Sequence, residues 1–442
     1  RSTLFPYTTL FRSQPLQAAR NDPSSKYFDY FVWSDNPKKY AEARIIFVDS
    51  QSSNWAYDEK VGKYYWHRFY PTQPDLNFDN PAVREEMKDV LRFWLDLGID
   101  GFRADAVPYL YEREGTNGEN LPETHAYLKE LRKLMDEEYP GTILLCEANQ
   151  WPRDVRAYFG DGDEFQLGFH FPLMPRVFMS IGKEDASSLV EILNATPAIP
   201  ANCQWCTFLR NHDELTLEMV SEEDRQWMWN FYAPDPAMRM NLGIRRRLYP
   251  LMENDRRRVE TAYSLIFTLP GSPVLYYGDE IGMGDDITQF DRNGVRTPMQ
   301  WDATKNGGFS TADTTYLPAI RDGRYGYRSV NVAAQSDDPD SNLNRLKRMI
   351  EARRASEALG WGKLEWLTSG APLPVLAYRR TTGGDTVIAV HNLTGGSRTS
   401  ELKAEDGIYQ DLLDSKIVVT AEGGKLRLTL GPRQFYWLRK VG

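Results

Sequence analysis

The sequence lacks the long apolar run that a membrane-spanning helix needs. A span takes about 18 or more consecutive apolar residues, and no stretch of the 442 residues approaches that length. Positive charge is also limited, since 53 Lys and Arg face 62 Asp and Glu and give a formal net charge of −9. Binding to nucleic acid depends on clustered Lys and Arg. We therefore expect neither a membrane protein nor a protein whose partner is a nucleic acid.

Cysteine is scarce, with only Cys146, Cys203 and Cys206 in the chain. A small, odd number argues against a disulfide scaffold and favours a reducing cytoplasm. Cys203 and Cys206 form a CQWC pair, a spacing found in redox and zinc sites, but the sequence supplies no second pair of ligands. We therefore expect a cytoplasmic protein whose cysteines are not functional.

The first 13 residues differ from the rest of the chain. The segment begins with Arg1, Pro6 interrupts it and no cleavage site follows an apolar region, so it is not a secretory signal. TLFPYTTLFRS, at residues 3–13, resembles one translated reading frame of a common sequencing adapter. We expect residues 1–13 to be artefactual and the natural sequence to start within the protein near Gln14.

Residues 81–360 alternate amphipathic helical patterns with short apolar strands. Helices are predicted to start at Pro81 and to cover 122–139, 177–193, 256–269 and 342–358, with strands near residues 100, 143, 166, 208 and 274. This alternation is typical of a parallel α/β barrel or of a doubly wound sheet. Two long irregular stretches, 219–255 and 284–340, are expected to be lids or binding loops.

The pattern changes near residue 361 to short alternating strands separated by Gly, Asp and Ser. We predict an antiparallel β-sandwich domain over residues 361–442. Because this segment has no cluster of carboxylates, His or Cys, its expected role is structural.

Three acids stand at the ends of predicted parallel strands: Asp105 in GFRADAV, Glu147 in LLCEANQWP and Asp213 in FLRNHDE. The carboxyl-terminal ends of barrel strands form an open rim where catalytic residues lie. Arg103 precedes Asp105 by two positions, so both side chains point to the same face of the strand. Each acid alone could be a loop cap or a surface residue, but the three together indicate an active site.

The motifs GFRADAV, LLCEAN and FLRNHD, with QPDLN at residues 73–77, resemble those of the α-amylase family of retaining α-glycoside enzymes. Longer strings, PYLYEREGTNGENLPETH and LPGSPVLYYGDEIGMGD among them, are similar to the trehalose synthases of that family, which isomerise maltose to trehalose. The resemblance runs from about Ala18 into the C-terminal β domain.

This resemblance implies a (β/α)8 TIM barrel, of which the chain would lack the first three strands. Residues 14–80 would be most of the subdomain inserted after the third strand, and residues 81–360 the rest of the barrel. A closed barrel needs eight strands, and we count five. We therefore expect the chain as written to fold poorly and to be inactive.

The resemblance also implies roles for single residues. Asp105 would be the nucleophile, Glu147 the general acid and base, and Asp213 the residue that binds ring hydroxyls as the sugar distorts. Arg103 and His212 would bind the same glucose. Arg292 is a further candidate for substrate contact, with a loop salt bridge as the equal alternative.

A calcium site is implied in the same way. Asp75, Glu112 and the backbone carbonyls of Tyr109 and Leu110 match positions that coordinate calcium in trehalose synthases, and hard oxygen ligands suit this ion. One further ligand of the family, an asparagine on an earlier strand, has no counterpart in the chain. The alternative for Glu112 is a salt-bridged surface acid.

Three functions remain open from the sequence. The first is isomerisation of maltose to trehalose with some release of glucose. The second is hydrolysis by an α-glucosidase or α-amylase of the same family. The third is a transporter-associated or scaffold protein on the same fold, which would be expected to have lost its catalytic acids. No organic cofactor is expected, and a homo-oligomer is compatible with the sequence.

Overall fold

The computed structural model describes the backbone of residues 7–441 and the side chains of residues 14–441. Residues 1–6 of the segment expected to be artefactual lie outside the described residues, and residues 7–13 begin the first helix. The chain forms two compact units. One holds residues 7–149, 153–169 and 198–204, and the other holds residues 150–152, 170–197 and 205–441.

The α-helices are α1 (Tyr7–Asn21), α2 (Pro81–Asp96), α3 (Pro122–Glu138), α4 (Pro152–Val155), α5 (Leu173–Lys183), α6 (Ser187–Ala195), α7 (Glu222–Tyr232), α8 (Leu248–Leu251), α9 (Arg256–Thr268), α10 (Val332–Ser336), α11 (Asn342–Arg354) and α12 (Glu357–Trp361). The strands are β1 (Trp33–Ser34), β2 (Trp55–Asp58), β3 (Lys63–Trp66), β4 (Gly101–Ala104), β5 (Ile143–Cys146), β6 (Leu167–Phe169), β7 (Gln204–Phe208), β8 (Leu215–Thr216), β9 (Arg239–Met240), β10 (Gly243–Ile244), β11 (Ser272–Val274), β12 (Lys363–Trp366), β13 (Val375–Thr382), β14 (Asp385–Asn392), β15 (Arg398–Lys403), β16 (Gly407–Asp411), β17 (Val418–Glu422), β18 (Lys425–Leu430) and β19 (Phe435–Val441).

The first unit contains three parallel strands, β4, β5 and β6. Gly101 pairs with Ile143 and Ala104 with Cys146, so β4 and β5 start and end at the same level. Leu145 of β5 pairs in turn with Leu167 of β6. These strands form where the apolar segments near residues 100, 143 and 166 predict them.

Helices α2 and α3 follow the predicted pattern of the first unit. Asn80 caps α2 by accepting a hydrogen bond from the Ala82 amide at 2.9 Å, and Pro81 takes the first helical position. Helix α3 begins at Pro122 and buries Tyr127 and Leu128. Helix α2 therefore forms where a side-chain cap and apolar spacing coincide, whereas α3 starts with a proline in its first turn and has no side-chain cap.

A small antiparallel sheet, in the order β1-β3-β2, lies in the part of the chain between α1 and α2. Trp55 and Trp66 pair across β2 and β3 and are both buried, with their ring centroids 5.0 Å apart. Aromatic packing of this kind contributes beyond the burial of apolar area, so these two tryptophans are a main support of the small sheet.

The second unit contains the parallel pair β7 and β11, in which Ser272 pairs with Cys206 and Val274 with Phe208. Helix α9 precedes β11, and Asp255 caps it by accepting from the Arg257 amide at 2.9 Å. The strands predicted near residues 208 and 274 and the helix predicted over 256–269 are therefore present.

The single helix predicted over residues 177–193 is wrong, because the structure has two helices, α5 and α6. Glu184 ends α5 in the left-handed region with φ of 57°, and its carboxylate accepts a hydrogen bond from Arg433 Nη2 at 2.8 Å. Asp185 then accepts from the amides of Ser187 and Leu373, at 2.9 and 2.7 Å. These polar contacts to the C-terminal part of the chain stop the helix despite its continuous apolar pattern.

The stretch 219–255, predicted to be irregular, contains a regular helix. Helix α7 starts after Ser221, whose hydroxyl accepts a hydrogen bond from the Asp224 amide, and its first turn carries three acids that favour a helix N-terminus. The stretch 284–340 has mostly loops with short 3₁₀ turns, as expected, and the five-residue helix α10.

The C-terminal residues form one antiparallel sheet of eight strands in the order β12-β13-β14-β19-β16-β17-β18-β15. Val390 of β14, Leu402 of β15, Leu428 of β18 and Leu438 of β19 belong to a single buried cluster. Strands from the middle and from one end of the sheet therefore share one core, and the predicted antiparallel β domain is confirmed.

No helix within residues 7–441 is long and apolar enough to cross a membrane. The three cysteines are free and buried.

Candidate active site

Two of the predicted carboxylates lie at the same level on neighbouring strands. Strand β4 ends at Ala104 and β5 ends at Cys146, so Asp105 and Glu147 each follow the last residue of a strand. The Glu147 amide donates a hydrogen bond to the Ala104 carbonyl at 3.0 Å, which continues the ladder to this level. The parallel register thus brings the two acids together.

Arg103 lies between these acids. Its guanidinium contacts the Glu147 carboxylate, and its Nη2 lies 3.8 Å from Asp105 Oδ1. The Asp105 side chain is 70% exposed, whereas that of Glu147 is 12% exposed. A nucleophile must be reachable by substrate, and the exposed Asp105 side chain meets this requirement.

The backbone turns sharply after Asp105. Ala106 has a φ of 52°, in the left-handed region that an alanine rarely adopts. The 3₁₀ turn Val107–Tyr109 follows immediately. This conformation costs free energy in a non-glycine residue, so the surrounding structure must hold it in place.

The residues predicted to bind calcium lie in the same unit. Asp75 Oδ2 accepts a hydrogen bond from the Arg68 amide at 3.1 Å, and the Arg68 guanidinium stacks over the Tyr109 ring at 4.7 Å. Glu112 is buried, and its burial together with the charge of Asp75 raises its pKa well above the usual value, while Arg68 opposes this shift.

The burial of Glu112 bears on the alternative interpretation of this residue. The Glu112 side chain is not a surface acid, because it is buried. The negative charge of Asp75 is close enough to raise the pKa of Glu112 further. Two carboxylates with the carbonyls of Tyr109 and Leu110 are all hard oxygen donors, which fits calcium. No set of three or more His, Cys, Asp and Glu side chains suited to a metal exists within the described part of the chain.

The third predicted carboxylate, Asp213, lies in the second unit after β7. Asn211 Oδ1 accepts a hydrogen bond from the Asp213 amide at 3.0 Å, and Arg210 Nη2 donates to the Asp213 carbonyl at 2.6 Å. Arg210 is fully buried, and burial lowers its pKa. His212 Nε2 lies 3.3 Å from Asp213 Oδ2. The backbone around Asp213 is therefore firmly held.

Arg292 makes the salt bridge that the sequence left open, and it also reaches the predicted catalytic acid. Its Nε and Nη2 donate to the two Glu214 oxygens at 2.7 and 3.0 Å, a bidentate pair. Its Nε also lies 3.1 Å from Asp213 Oδ1. Burial alone would lower the pKa of Arg292, but Glu214 and Asp213 outweigh it and raise that pKa.

Sequence reasoning missed two members of this cluster, Glu214 and Arg296. Arg296 Nη2 lies 2.7 Å from Asp213 Oδ1, and its Nε donates to the His212 carbonyl at 2.7 Å. Glu214 is half of the bidentate pair with Arg292. Glu214 ends the motif FLRNHDE and Arg296 follows Arg292 by four positions, but spacing alone does not show that the two segments meet.

The structure thus gathers the predicted residues into one group in each unit. Arg103, Asp105 and Glu147 lie together in the first unit, and His212, Asp213 and Arg292 lie together in the second. In both groups a guanidinium accompanies the acids.

A protein-family model, the catalytic domain of alpha amylase, matches residues 12–232 and 245–362. A second, the C-terminal domain of maltogenic amylase, matches residues 367–437. The two matches divide the chain near residue 362, close to the predicted start of the β domain.

The chain is 56% identical over 435 residues to a trehalose synthase/amylase of Mycobacterium tuberculosis, covering 96% of this chain and 72% of that protein. It is 51% identical over 441 residues to a trehalose synthase of Pimelobacter sp., covering 96% and 77%. The crystal structure of an α-amylase from H. orenii matches 97% of this chain and 77% of that chain, with a TM-score of 0.73 at 24% identity. The predicted fold, an α/β barrel of the α-amylase type with a C-terminal antiparallel β domain, is confirmed.

Proposed function

The chain belongs to the α-amylase family and, within it, to the trehalose synthases, and we propose that it converts maltose to trehalose by a retaining double displacement. The observation that carries this proposal is the placement of Asp105 and Glu147 at the same level of adjacent parallel strands, with Arg103 contacting Glu147. Retaining enzymes of this kind need a pair of carboxyl groups about 5 Å apart on either side of the scissile bond.

In the first step the Asp105 carboxylate attacks the anomeric carbon of the non-reducing glucose of maltose. The bond from that carbon to the bridging oxygen breaks, and Glu147 gives its proton to this oxygen. The products are a glucosyl ester on Asp105 and free glucose. Asp213 holds ring hydroxyls of the distorted sugar, and its own position is set by Arg292, Arg296 and the backbone contact from Arg210.

In the second step the released glucose turns within the site and attacks the glucosyl ester through its anomeric hydroxyl. Glu147, now a carboxylate, takes the proton of this hydroxyl as the new bond forms and the ester to Asp105 breaks. Two inversions give net retention. Water in place of glucose would complete hydrolysis instead, so the site must hold glucose and exclude water.

Water exclusion needs chain segments that cover the site, and we assign this to the long segments 219–255 and 284–340. The 284–340 segment supplies Arg292 and Arg296, which contact Asp213. The 219–255 segment supplies Asn241, which donates a hydrogen bond to Glu214 Oε1 at 2.8 Å.

The second candidate function is hydrolysis by an α-glucosidase or α-amylase, favoured by the same three acids. Product analysis separates the two. Purified protein is incubated with maltose and the sugars are resolved by chromatography. Trehalose as the main product supports isomerisation, whereas glucose as the only product would leave only the hydrolase.

We also propose that Asp75 and Glu112, with the carbonyls of Tyr109 and Leu110, hold a calcium ion. When bound, the ion would act as a structural brace. Since Tyr109 ends the 3₁₀ turn that follows Asp105 and Ala106, these ligands would fix the backbone directly after the nucleophile.

The domain limits, location and partners follow from the same function. We propose residues 14–80 as an inserted subdomain, 81–360 as barrel and 361–442 as a C-terminal β domain, and the boundary of the matched family models near residue 362 supports the last division. Three buried free thiols support a cytoplasmic location. The partners would be maltose, trehalose and glucose, with a second copy of the chain as a further partner.

A further inference from the structure

Arg245, directly after strand β10, uses its guanidinium in an unusual way. Its Nε donates to the Ala237 carbonyl at 2.8 Å, and its Nη1 donates to the carbonyls of Gln289 and Asp291 at 2.8 and 2.7 Å. Its Nη2 donates to the Ile287 carbonyl at 3.0 Å. The single guanidinium of Arg245 therefore donates hydrogen bonds to four main-chain carbonyls, and three of these carbonyls belong to residues 287–291.

The next two arginines hold the start of the same segment. Arg246 Nε lies 2.9 Å from both oxygens of Asp285, and the Arg247 amide donates to Asp285 Oδ2 at 2.7 Å. Residues 285–296 thus form a loop whose beginning and apex are both tied to the chain around β10. We call this segment the 285–296 loop.

The other end of the 285–296 loop reaches the predicted catalytic acid. Arg292 and Arg296 belong to this loop, and their nitrogens lie 3.1 and 2.7 Å from Asp213 Oδ1. The position of the loop therefore determines where the two positively charged guanidinium groups lie relative to the Asp213 carboxylate.

Apolar packing contributes little to the apex of the loop. Phe290, between two residues whose carbonyls Arg245 holds, has a side chain that is 87% exposed. The hydrogen bond from the Asp286 amide to the Gly294 carbonyl, at 3.0 Å, keeps the loop in shape but does not attach it to β10. Attachment of the apex therefore rests on polar contacts, with Arg245 as the main one.

We propose that Arg245 is a positioning residue that favours isomerisation over hydrolysis by fixing the 285–296 loop. This inference rests on the proposed function. With the apex released, Arg292 and Arg296 lose their fixed placement on Asp213, so the glucosyl enzyme is less well shielded and water competes better for it. A planar guanidinium with five donors can hold several carbonyls at once, which a lysine ammonium cannot do in the same geometry.

The test compares Arg245→Gln and Arg245→Lys with the parent protein, and the exposed Arg257 of α9, as Arg257→Gln, is the matched control. kcat, KM and the ratio of trehalose to glucose are measured with maltose. We expect the ratio to fall roughly tenfold in Arg245→Gln, less in Arg245→Lys, and not in Arg257→Gln, because displacement of positioning groups by about 1 Å has effects of this size or larger.

A spin label reports the loop directly. The native cysteines are buried, so a Phe290→Cys variant can be labelled at the apex, and Arg245→Gln is expected to increase the mobility of that label. A parent-like product ratio in both Arg245 variants, with the fold intact by thermal unfolding, would overturn the inference. Production of glucose alone by the parent protein would instead overturn the proposed function, whatever the variants do.

Discussion

The guanidinium of Arg103 contacts the carboxylate of Glu147 from the neighbouring parallel strand. A carboxyl group that acts as a general acid must carry a proton, whereas contact with a guanidinium favours its charged form. We therefore expect Arg103 to turn toward a sugar hydroxyl when substrate binds, which frees Glu147 to take up a proton.

The separate roles of Asp105 and Glu147 can be tested with a substrate that needs no acid. We expect Glu147→Gln to lose roughly 100- to 10,000-fold in activity on maltose. With α-glucosyl fluoride, whose fluoride leaves without protonation, the same variant should accumulate a glucosyl ester on Asp105, seen by mass spectrometry of the intact protein.

Asp105→Asn is the matched control for that experiment, because it removes the proposed nucleophile and leaves Glu147 in place. It should show no added glucosyl group with either substrate. An unmodified Glu147→Gln variant, or a glucosylated Asp105→Asn variant, would show that the roles are assigned wrongly.

Arg296 should matter for catalysis although sequence reasoning did not select it. Its contact with Asp213 Oδ1 at 2.7 Å holds the acid in place, so we expect Arg296→Gln to lower kcat/KM roughly 10- to 100-fold. Arg321→Gln, at an exposed loop position, is the control and should leave kcat/KM unchanged. Equal kinetics for the two variants would remove Arg296 from the site.

Calcium should stabilise the protein if Asp75 and Glu112 hold it. Calcium at 100 times its Kd is expected to raise the free energy of unfolding by about 2.7 kcal/mol, and a chelator should reverse this gain. The effect should disappear in Asp75→Asn and persist in Glu59→Gln, a change at an exposed acid of the same unit. If calcium leaves the calorimetric unfolding curve of the parent protein unchanged, the calcium site is ruled out.

His391 should make stability depend on pH. It is fully buried, with Nε2 lying 2.8 Å from Ser264 Oγ, and burial lowers its pKa from 6.5 to about 3. Below pH 6.5 the unfolded chain binds a proton that the folded chain does not, so stability is complete above this pH and falls as the pH drops toward 3. The loss from this residue between pH 8 and pH 5 is about 2 kcal/mol.

The check is urea unfolding of the parent protein and of His391→Gln at both pH values. The variant is expected to be less stable throughout, but its loss between pH 8 and pH 5 should be about 2 kcal/mol smaller. Equal losses in the two proteins would mean that His391 is not the titrating group.

Local sequence signals predicted the parts of the fold that depend on neighbouring residues. Asn80 and Pro81 marked the start of α2, and the apolar runs ending at Ala104 and Cys146 gave two strands and placed acids at their ends. The predicted helix over 177–193 failed because Glu184 and Asp185 bind Arg433 and the Leu373 amide, far along the chain. No local pattern contains such contacts.

The prediction of the site residues from sequence was limited in the same way. Arg103 and Asp105 could be placed on one face of a strand from their spacing of two. The link from Arg292 to Glu214 spans 78 positions, and it depends on a loop whose path no periodicity describes. Residues held by long-range polar contacts were therefore missed or left open.

The most direct test of the proposed isomerisation uses maltose with an excess of free ¹³C-labelled glucose. Because the released glucose is retained and attacks the glucosyl enzyme before it escapes, the trehalose formed should be predominantly unlabelled by mass spectrometry. Trehalose that carries the label, or glucose as the only product, would contradict the account.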